Sequence, residues 1–250
     1  MEIKEEIELI SKLKNCVSSK HGTLFNVYVS GSHLYGWNSK DSDVDIRGCF
    51  LLNKEMFLGL GSPIEVIEIK DRQDIVLFEI KKMIKLALQG NCNILEEINA
   101  PQLYKNADFV RLKQLINNSF GKRGIYNSYK GLAEFNYKKF ILNGRNTVKK
   151  YLYVFRGLMA GIYCLQTGQV KPNIEELNKV FKIKEVDKLL EIKRKGLEEE
   201  PLKELDEGIL DSHIKILFEK LDEAYLKSKI SENPSGEDIE EINKFLINLR

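Results

Sequence analysis

Between residues 27 and 50 the chain reads VYVSGSHLYGWNSKDSDVDIRGCF, and this stretch is spaced for chemistry on phosphates. Gly31-Ser32 closes an apolar run; after ten intervening residues come Asp43 and Asp45, with Val44 between them. Gly31 lets the backbone approach an anion closely, and the amides of Ser32 and its successors can donate to phosphate oxygens if a helical turn begins there. The Ser32 hydroxyl adds one more donor. Side chains at alternate positions of a strand share a face about 7 Å apart, which suits gripping two ions about 3.5–4 Å apart. Hard carboxylate oxygens are what magnesium prefers. Taken singly, Gly-Ser after a strand is a turn and Asp-x-Asp is a solvated edge. Taken together, they describe a phosphate cradle facing a divalent-metal site.

The elements that must hold these groups show in the hydrophobic period. Ile3, Ile7, Ile10, Leu13 and Val17 recur at three- and four-residue steps, which predicts a first amphipathic helix. LFNVYVS (24–30) reads as a buried strand stopped by Gly31. Val44, Ile46 and Gly48 then alternate with Asp43, Asp45 and Arg47, so one face of a second strand carries every charge. IEVIEIK (64–70) and DIVLFE (74–79) predict further strands, and a helical period runs from Ile80 to Gly90-Asn91. Beyond Pro101 almost nothing reads as strand. Helical patterns follow through 109–116, 129–137 and 147–167; Pro172 starts further helices, and Pro201 and Pro234-Ser235-Gly236 punctuate the Lys/Glu-rich tail. The expected fold class is therefore α+β: a mixed sheet with helices over residues 1–100, then an all-helical region over 101–250.

Composition narrows the classes. At 250 residues, 43% hydrophobic and 30% charged, the chain has the make-up of a globular protein with a real core rather than of a disordered one. Its net charge of +2 means that nucleic-acid affinity has to come from local patches. Cys16, Cys49, Cys92 and Cys164 are far apart, with no C-x-x-C pair, which argues against a disulfide framework or a zinc site and for thiols in a reducing compartment. MEIKEEIELI is acidic and amphipathic rather than a signal peptide, and no apolar run has membrane-spanning length, so the expected location is cytoplasmic, with no membrane partner.

The Gly-Ser turn followed by Asp-x-Asp resembles the nucleotidyltransferase superfamily that includes DNA polymerase beta, poly(A) polymerases and antibiotic nucleotidyltransferases. More narrowly, GSHLYG, DSDVDIRG, FEIKKMIKLALQGNCNILEEI and KKYLYVFRGLMAGIY, in that order, resemble a branch predicted to act in RNA repair, some of whose genes neighbour RNA ligases. One departure is visible: Asn91-Cys92-Asn93 stands where the branch usually has Asn-Pro, which changes a helix start and leaves the metal site alone.

The resemblance implies transfer of a nucleoside monophosphate from a nucleoside triphosphate, with two Mg²⁺ ions (or Mn²⁺) held by Asp43, Asp45 and a third carboxylate. Glu79 is the candidate, at the end of DIVLFE and matching the branch's acidic position; Asp74 is the alternative, and either could simply cap a helix or face solvent. Lys149, Tyr153 and Arg156 lie at i, i+4 and i+7 on one helix face. By itself such a stripe is a solvated basic face. The resemblance implies that this helix closes over the triphosphate, Lys149 and Arg156 binding phosphates and Tyr153 positioning the nucleotide beside Gly31 and Ser32. Arg47 could pair with the carboxylates instead, and His33 could contact nucleotide.

For the acceptor, Lys122-Arg123, Lys130, Lys138-Lys139, Arg145 and Lys149-Lys150 interleave with Tyr126, Tyr129, Tyr137 and Tyr151. They read equally as a nucleic-acid track or as ordinary helix surface. An RNA 3′ end rests on the resemblance, as does a functional link to an RNA ligase. Modification of a protein hydroxyl and a non-catalytic nucleotide- or RNA-binding module are the alternatives, and the intact Ser32, Asp43 and Asp45 set argues against the latter.

Overall fold

The amphipathic stretch that opens the chain forms helix α1 (Ile3–Ser18), whose Leu9, Leu13 and Val17 pack on one face of a mixed sheet. In the computed structural model, which describes residues 3–39, 42–70, 73–144, 147–195 and 205–250, that sheet has five strands. These are β1 (Gly22–Val29), β2 (Asp45–Leu52), β3 (Val66–Lys70), β4 (Asp74–Glu79) and β5 (Gln102–Lys105), in the spatial order β3-β4-β2-β1-β5. β2 and β4 run parallel, and every other neighbouring pair is antiparallel. Short helices α2 (Gly31–Tyr35) and α3 (Lys54–Leu58) follow β1 and β2, while α4 (Ile80–Leu88) and α5 (Cys92–Asn99) lie between β4 and β5 in the chain.

β1 is buried from Leu24 to Tyr28, Asn26 included, because both of its faces are covered. Leu24 and Val27 face the α1 side; Phe25 and Tyr28 join the core on the other side. A bulge between Leu24 and Asn26 shifts the register there, which lets residues three apart, Leu24 with Val27 and Phe25 with Tyr28, share a face. The fifth strand, β5, lies beyond Pro101, inside the region expected to be helical. Its four residues, QLYK, are too few for a two-residue period to stand out.

The remainder is helical, as its period predicts: α6 (Phe109–Ser119), α7 (Lys122–Asn136) running into a π-helical turn (Tyr137–Ile141), α8 (Val148–Thr167), α9 (Ile174–Phe181), α10 (Lys184–Arg194), α11 (Glu207–Lys227) and α12 (Gly236–Asn248). The protein is thus α+β, a mixed sheet followed by a helical array. Pro201 lies outside the described residues. α8 is the central helix of the array, packed by α7, α9, α10 and α11. One apolar cluster runs from Phe25, Tyr28 and Cys49 on the sheet through Leu95 of α5 to Tyr129, Phe155 and Leu217. Each such large side chain contributes about 1.5–3 kcal/mol on burial, so the continuous cluster fixes α8 firmly against the end of β1. No described helix is long and apolar enough to cross a membrane.

Candidate active site

The turn after β1 is built around Gly31. Ser30 is extended and donates its amide to the Asp45 carbonyl at 2.8 Å, and Gly31 then takes a φ of +62°. A Cβ at Gly31 would lie 2.0 Å from Oδ2 of Asp45. The aspartate's carboxylate therefore rests directly on the backbone of the Gly-Ser turn, at a distance only glycine permits. Gly36, at φ +84°, ends α2, and the amides of Gly36 and Trp37 both donate to the Ser32 carbonyl at 3.1 Å. Ser32 and His33 are half-buried at this turn.

The carboxylates are arranged by strand register. Asp45 is the first residue of β2, and Asp43 lies exposed in the preceding segment, outside the strand on which its spacing had placed it. In the parallel β2/β4 pair Asp45 stands opposite Asp74. Arg47 bridges the two: its Nη2 is 2.8 Å from Asp74 Oδ2 and 3.5 Å from Asp45 Oδ1. Its Nη1 donates to the carbonyls of Asp74 and Ile46 at 2.7 and 2.9 Å.

Glu79 is elsewhere, which corrects its expected role. It pairs in register with Phe50, five positions along the sheet from Asp45, about 17 Å at the usual rise per residue. It alternates with Ile75 and Leu77, so it starts from the face opposite Asp74. There it caps α4, accepting from the Lys81 amide at 2.7 Å, and pairs with the Arg250 guanidinium, which stacks 3.7 Å from the Phe57 ring centroid. Its buried carboxylate is consumed by structure.

α8 meets the turn through the face predicted for it. The Tyr153 ring lies 5.1 Å from Trp37 and 6.2 Å from Tyr35, centroid to centroid, and Lys149 is half-buried one turn nearer the start of the helix. Arg156, however, is not placed to bind phosphate. Its fully buried guanidinium gives Nη1 to both Glu96 oxygens, at 2.6 and 2.7 Å, and its Cζ sits 3.8 Å from the centroid of the Tyr35 ring. Burial alone would lower the guanidinium's pKa; the Glu96 carboxylate overrides it and keeps Arg156 charged. Arg156 thus braces α2 from behind. Three buried polar atoms here, His33 Nε2, Trp37 Nε1 and Arg156 Nε, have no hydrogen-bond partner among the described residues. Unpaired polar atoms of this kind call for bound water or ligand.

Two further carboxyls were missed from sequence. Glu96 and Glu97 on α5 are buried beneath the turn. Glu96 takes Arg156 and the Tyr129 hydroxyl (3.0 Å); Glu97 takes the Tyr28 hydroxyl at 2.7 Å and the Ser30 hydroxyl at 3.3 Å. Burial pushes the Glu97 carboxyl up to about 7, against the hydrogen bond from Tyr28 and the charge of Arg47. The available signal was position: Glu97 lies three residues after Ile94, and Glu96 and Glu97 sit between Leu95 and Ile98 in a short apolar helix. Lys193 of α10 was missed as well; it is buried and donates to Ser39 Oγ at 3.2 Å, in the segment ahead of Asp43.

The interleaved track on the helical region is largely spent on internal pairs. Glu232 takes Arg123 at 2.9 Å and Lys122 at 3.7 Å, Asp222 takes Lys130 at 2.8 Å, and Glu134 takes Lys138 at 2.7 Å. Tyr126 stacks on Tyr225 at 4.5 Å, Tyr137 lies against Phe218, and Tyr129 and Tyr151 are buried. Lys139 and Lys150 lie over the Phe140 ring at 5.6 and 3.8 Å. Arg145 lies outside the described residues.

The donor set fits a hard divalent cation. Asp43, Asp45 and Asp74 offer only oxygen ligands, and the absence of a side chain at Gly31 lets the Asp45 carboxylate lie against the turn. Among the described residues no three Asp, Glu, His or Cys side chains already converge as ligands, and Arg47 contacts both Asp45 and Asp74.

A Gly-Ser turn touching the first carboxylate of the next strand, on a mixed sheet backed by helices, marks a nucleotidyltransferase of the DNA polymerase beta class. The family profile decides the branch. Residues 5–248 match the RlaP family, the RNA repair pathway DNA polymerase beta family, and the chain belongs to it. It is 27% identical to the Bacillus subtilis (strain 168) protein YcgL, over 96% of this chain and 94% of that protein. It is 31% identical to the Methanocaldococcus jannaschii protein MJ0002, over 84% and 87% respectively. Among solved structures, a nucleotidyltransferase-like protein from Exiguobacterium sibiricum 255-15 aligns with 89% of this chain and 74% of its own, at 12% identity and a TM-score of 0.31, too loosely to inform any residue.

Proposed function

We propose that the protein moves a nucleoside monophosphate from a nucleoside triphosphate to the 3′ hydroxyl of an RNA, releasing pyrophosphate. The observation that carries this reading is the Asp45 carboxylate seated on the Gly31 backbone, in register with Asp74. A triphosphate resting on the Gly31-Ser32 amides then has carboxylates at its flank. Asp43, Asp45 and Asp74 would hold two Mg²⁺ ions, with Mn²⁺ as a substitute. Bound there, the ions supply Lewis acidity, lowering the pKa of the acceptor hydroxyl and offsetting charge on the leaving pyrophosphate.

The chain's own groups do the positioning. The acceptor oxygen bonds to the α-phosphorus, the bond from that phosphorus to the bridging oxygen breaks, pyrophosphate leaves with its electron pair, and the hydroxyl proton passes to solvent. Ser32 and the amides beside it orient the phosphates, and Lys149 at the start of α8 offsets charge as it builds on the leaving group. Tyr153 holds the covering helix on Trp37 and Tyr35. Arg156 acts through Tyr35 rather than on phosphate. Such transfer depends mostly on position and neutralisation.

The family's description, an RNA repair pathway, accords with RNA as the acceptor. Four free cysteines, three of them buried, accord with a reducing, cytoplasmic setting. Incubating the protein with α-labelled NTPs, Mg²⁺ and either tRNA or cell lysate tests the reading. Label on RNA supports it, label on polypeptide makes a protein the acceptor, and no labelled product with any acceptor rejects transfer.

A further inference from the structure

Beside the turn lies a second concavity that the transfer chemistry does not use. It is a groove of about 1000 Å³ between β5 and α6, with Glu241 of α12 at its rim. Its charge is unbalanced. Arg111 pairs with Glu241, the one carboxylate lining the groove, while Lys105 and Lys113 have no carboxylate partner among the described residues. Lys113 is half-buried, and burial together with the neighbouring charge of Lys105 pushes its ammonium down. Two like charges held toward one polar groove are an unfavourable arrangement that an anion between them relieves.

The groove's position says which anion. Its β5 wall starts at Gln102, which pairs in register with Tyr28; the Gln102 side chain donates to the Glu97 carbonyl at 3.3 Å. Glu97 in turn holds Tyr28 and Ser30, the residue before Gly31. The Gln102 end of the groove thus lies beside the residues that lead into Gly31, and the groove is too large for a lone phosphate. We infer that the β5–α6 groove binds the sugar-phosphate backbone of a single-stranded nucleic acid, Lys105 and Lys113 contacting successive phosphates of the strand whose end reaches the Gly31-Ser32 turn. That the anion is a nucleic-acid strand rests on the nucleotidyl-transfer reading; that the groove takes an anion does not.

Binding is read directly, without turnover. Fluorescence anisotropy of the full chain with a fluorescein-labelled single-stranded RNA of mixed sequence, in Mg²⁺-free buffer over a salt series, compares wild type with Lys105→Ala/Lys113→Ala. The double variant should bind more weakly at low salt, with the slope of log K against log salt reduced by about 1.4, two single-strand phosphate contacts. Lys105→Arg/Lys113→Arg should restore the slope, which a general loss of folding would not allow. Unchanged affinity and slope in the alanine variant would overturn the inference, as would polyglutamate competing as well as RNA, which would make the groove a site for acidic peptide. Asp45→Asn separates the two readings: it should abolish transfer while RNA affinity stays at the wild-type value, whereas transfer surviving Asp45→Asn rejects the catalytic reading and leaves the groove standing.

Discussion

Nη1 of Arg156 donates to both oxygens of Glu96, and the two side chains are fully buried between α8, α5 and the short helix that opens at Gly31-Ser32. Removing one partner strands the other's charge in the core. Arg156→Met should therefore cost about 3–5 kcal/mol, whereas Glu96→Leu/Arg156→Met should recover most of it, because a buried pair replaced by apolar groups is often neutral. Urea denaturation of the two singles and the double gives the coupling directly. Folded Arg156→Met should also show a raised KM for nucleotide, since Tyr35 loses the guanidinium under it. Additive losses in the cycle would show that the two residues act independently.

Asp74 and Glu79 begin and end one strand and should fail differently. Asp74→Asn removes the carboxylate opposite Asp45 from an exposed strand start, so activity should fall by at least about 100-fold with little change in Tm. Glu79→Gln breaks a buried pair with Arg250, so stability should drop by about 3 kcal/mol while kcat is retained in the folded fraction. Steady-state kinetics beside thermal melts separates the two. The reverse pattern would return the third carboxylate to Glu79.

What was legible in the sequence was local. Gly31, Ser32 and Asp45 could be placed because a turn glycine and an alternating strand are set by residues within a short window. The α8 face bearing Lys149 and Tyr153 was legible for the same reason. The choice between Asp74 and Glu79 was not, because it depends on how β4 registers against β2, a contact between strands over twenty residues apart. The resemblance implied phosphate binding by Arg156, and its helical spacing could not tell a buried arginine from a solvated one; its partner Glu96 lies sixty residues earlier. Glu96 and Glu97 were passed over on the same ground, since acidic side chains are rarely buried unless paired.

Gly31→Ala tests the contact on which the site depends. Alanine at φ +62° costs about 1–2 kcal/mol by itself, and its Cβ would meet Asp45 Oδ2 at 2.0 Å, so the carboxylate must move off the turn. Activity should fall far more than that strain predicts, by about 100-fold or more if a displaced ligand behaves like a lost one. Measuring kcat at saturating nucleotide beside Tm distinguishes the two effects. A variant with lowered Tm and near-normal kcat would mean that the Asp45 contact is structural only.

Glu97 should make stability depend on pH. Burial raises its carboxyl to about 7 in the folded protein, from an ordinary value of 4.5. The fold therefore favours the protonated form: its contribution is complete below pH 4.5 and is lost as pH rises to about 7, after which it is constant. The shift corresponds to about 3 kcal/mol across that window. Glu97→Gln keeps the shape and remains neutral, with its carbonyl accepting from Tyr28 and its amide donating to the Ser30 hydroxyl. Against wild type, the variant should be about equal in stability near pH 4.5 and more stable above pH 7, by up to the full shift. Taking the difference between the two proteins cancels every other titrating group, so urea midpoints at a series of pH values isolate this one. A difference that stays flat with pH would mean that Glu97 is ionised in the fold like an ordinary carboxylate, its hydrogen bonds from Tyr28 and Ser30 offsetting the whole cost of burial.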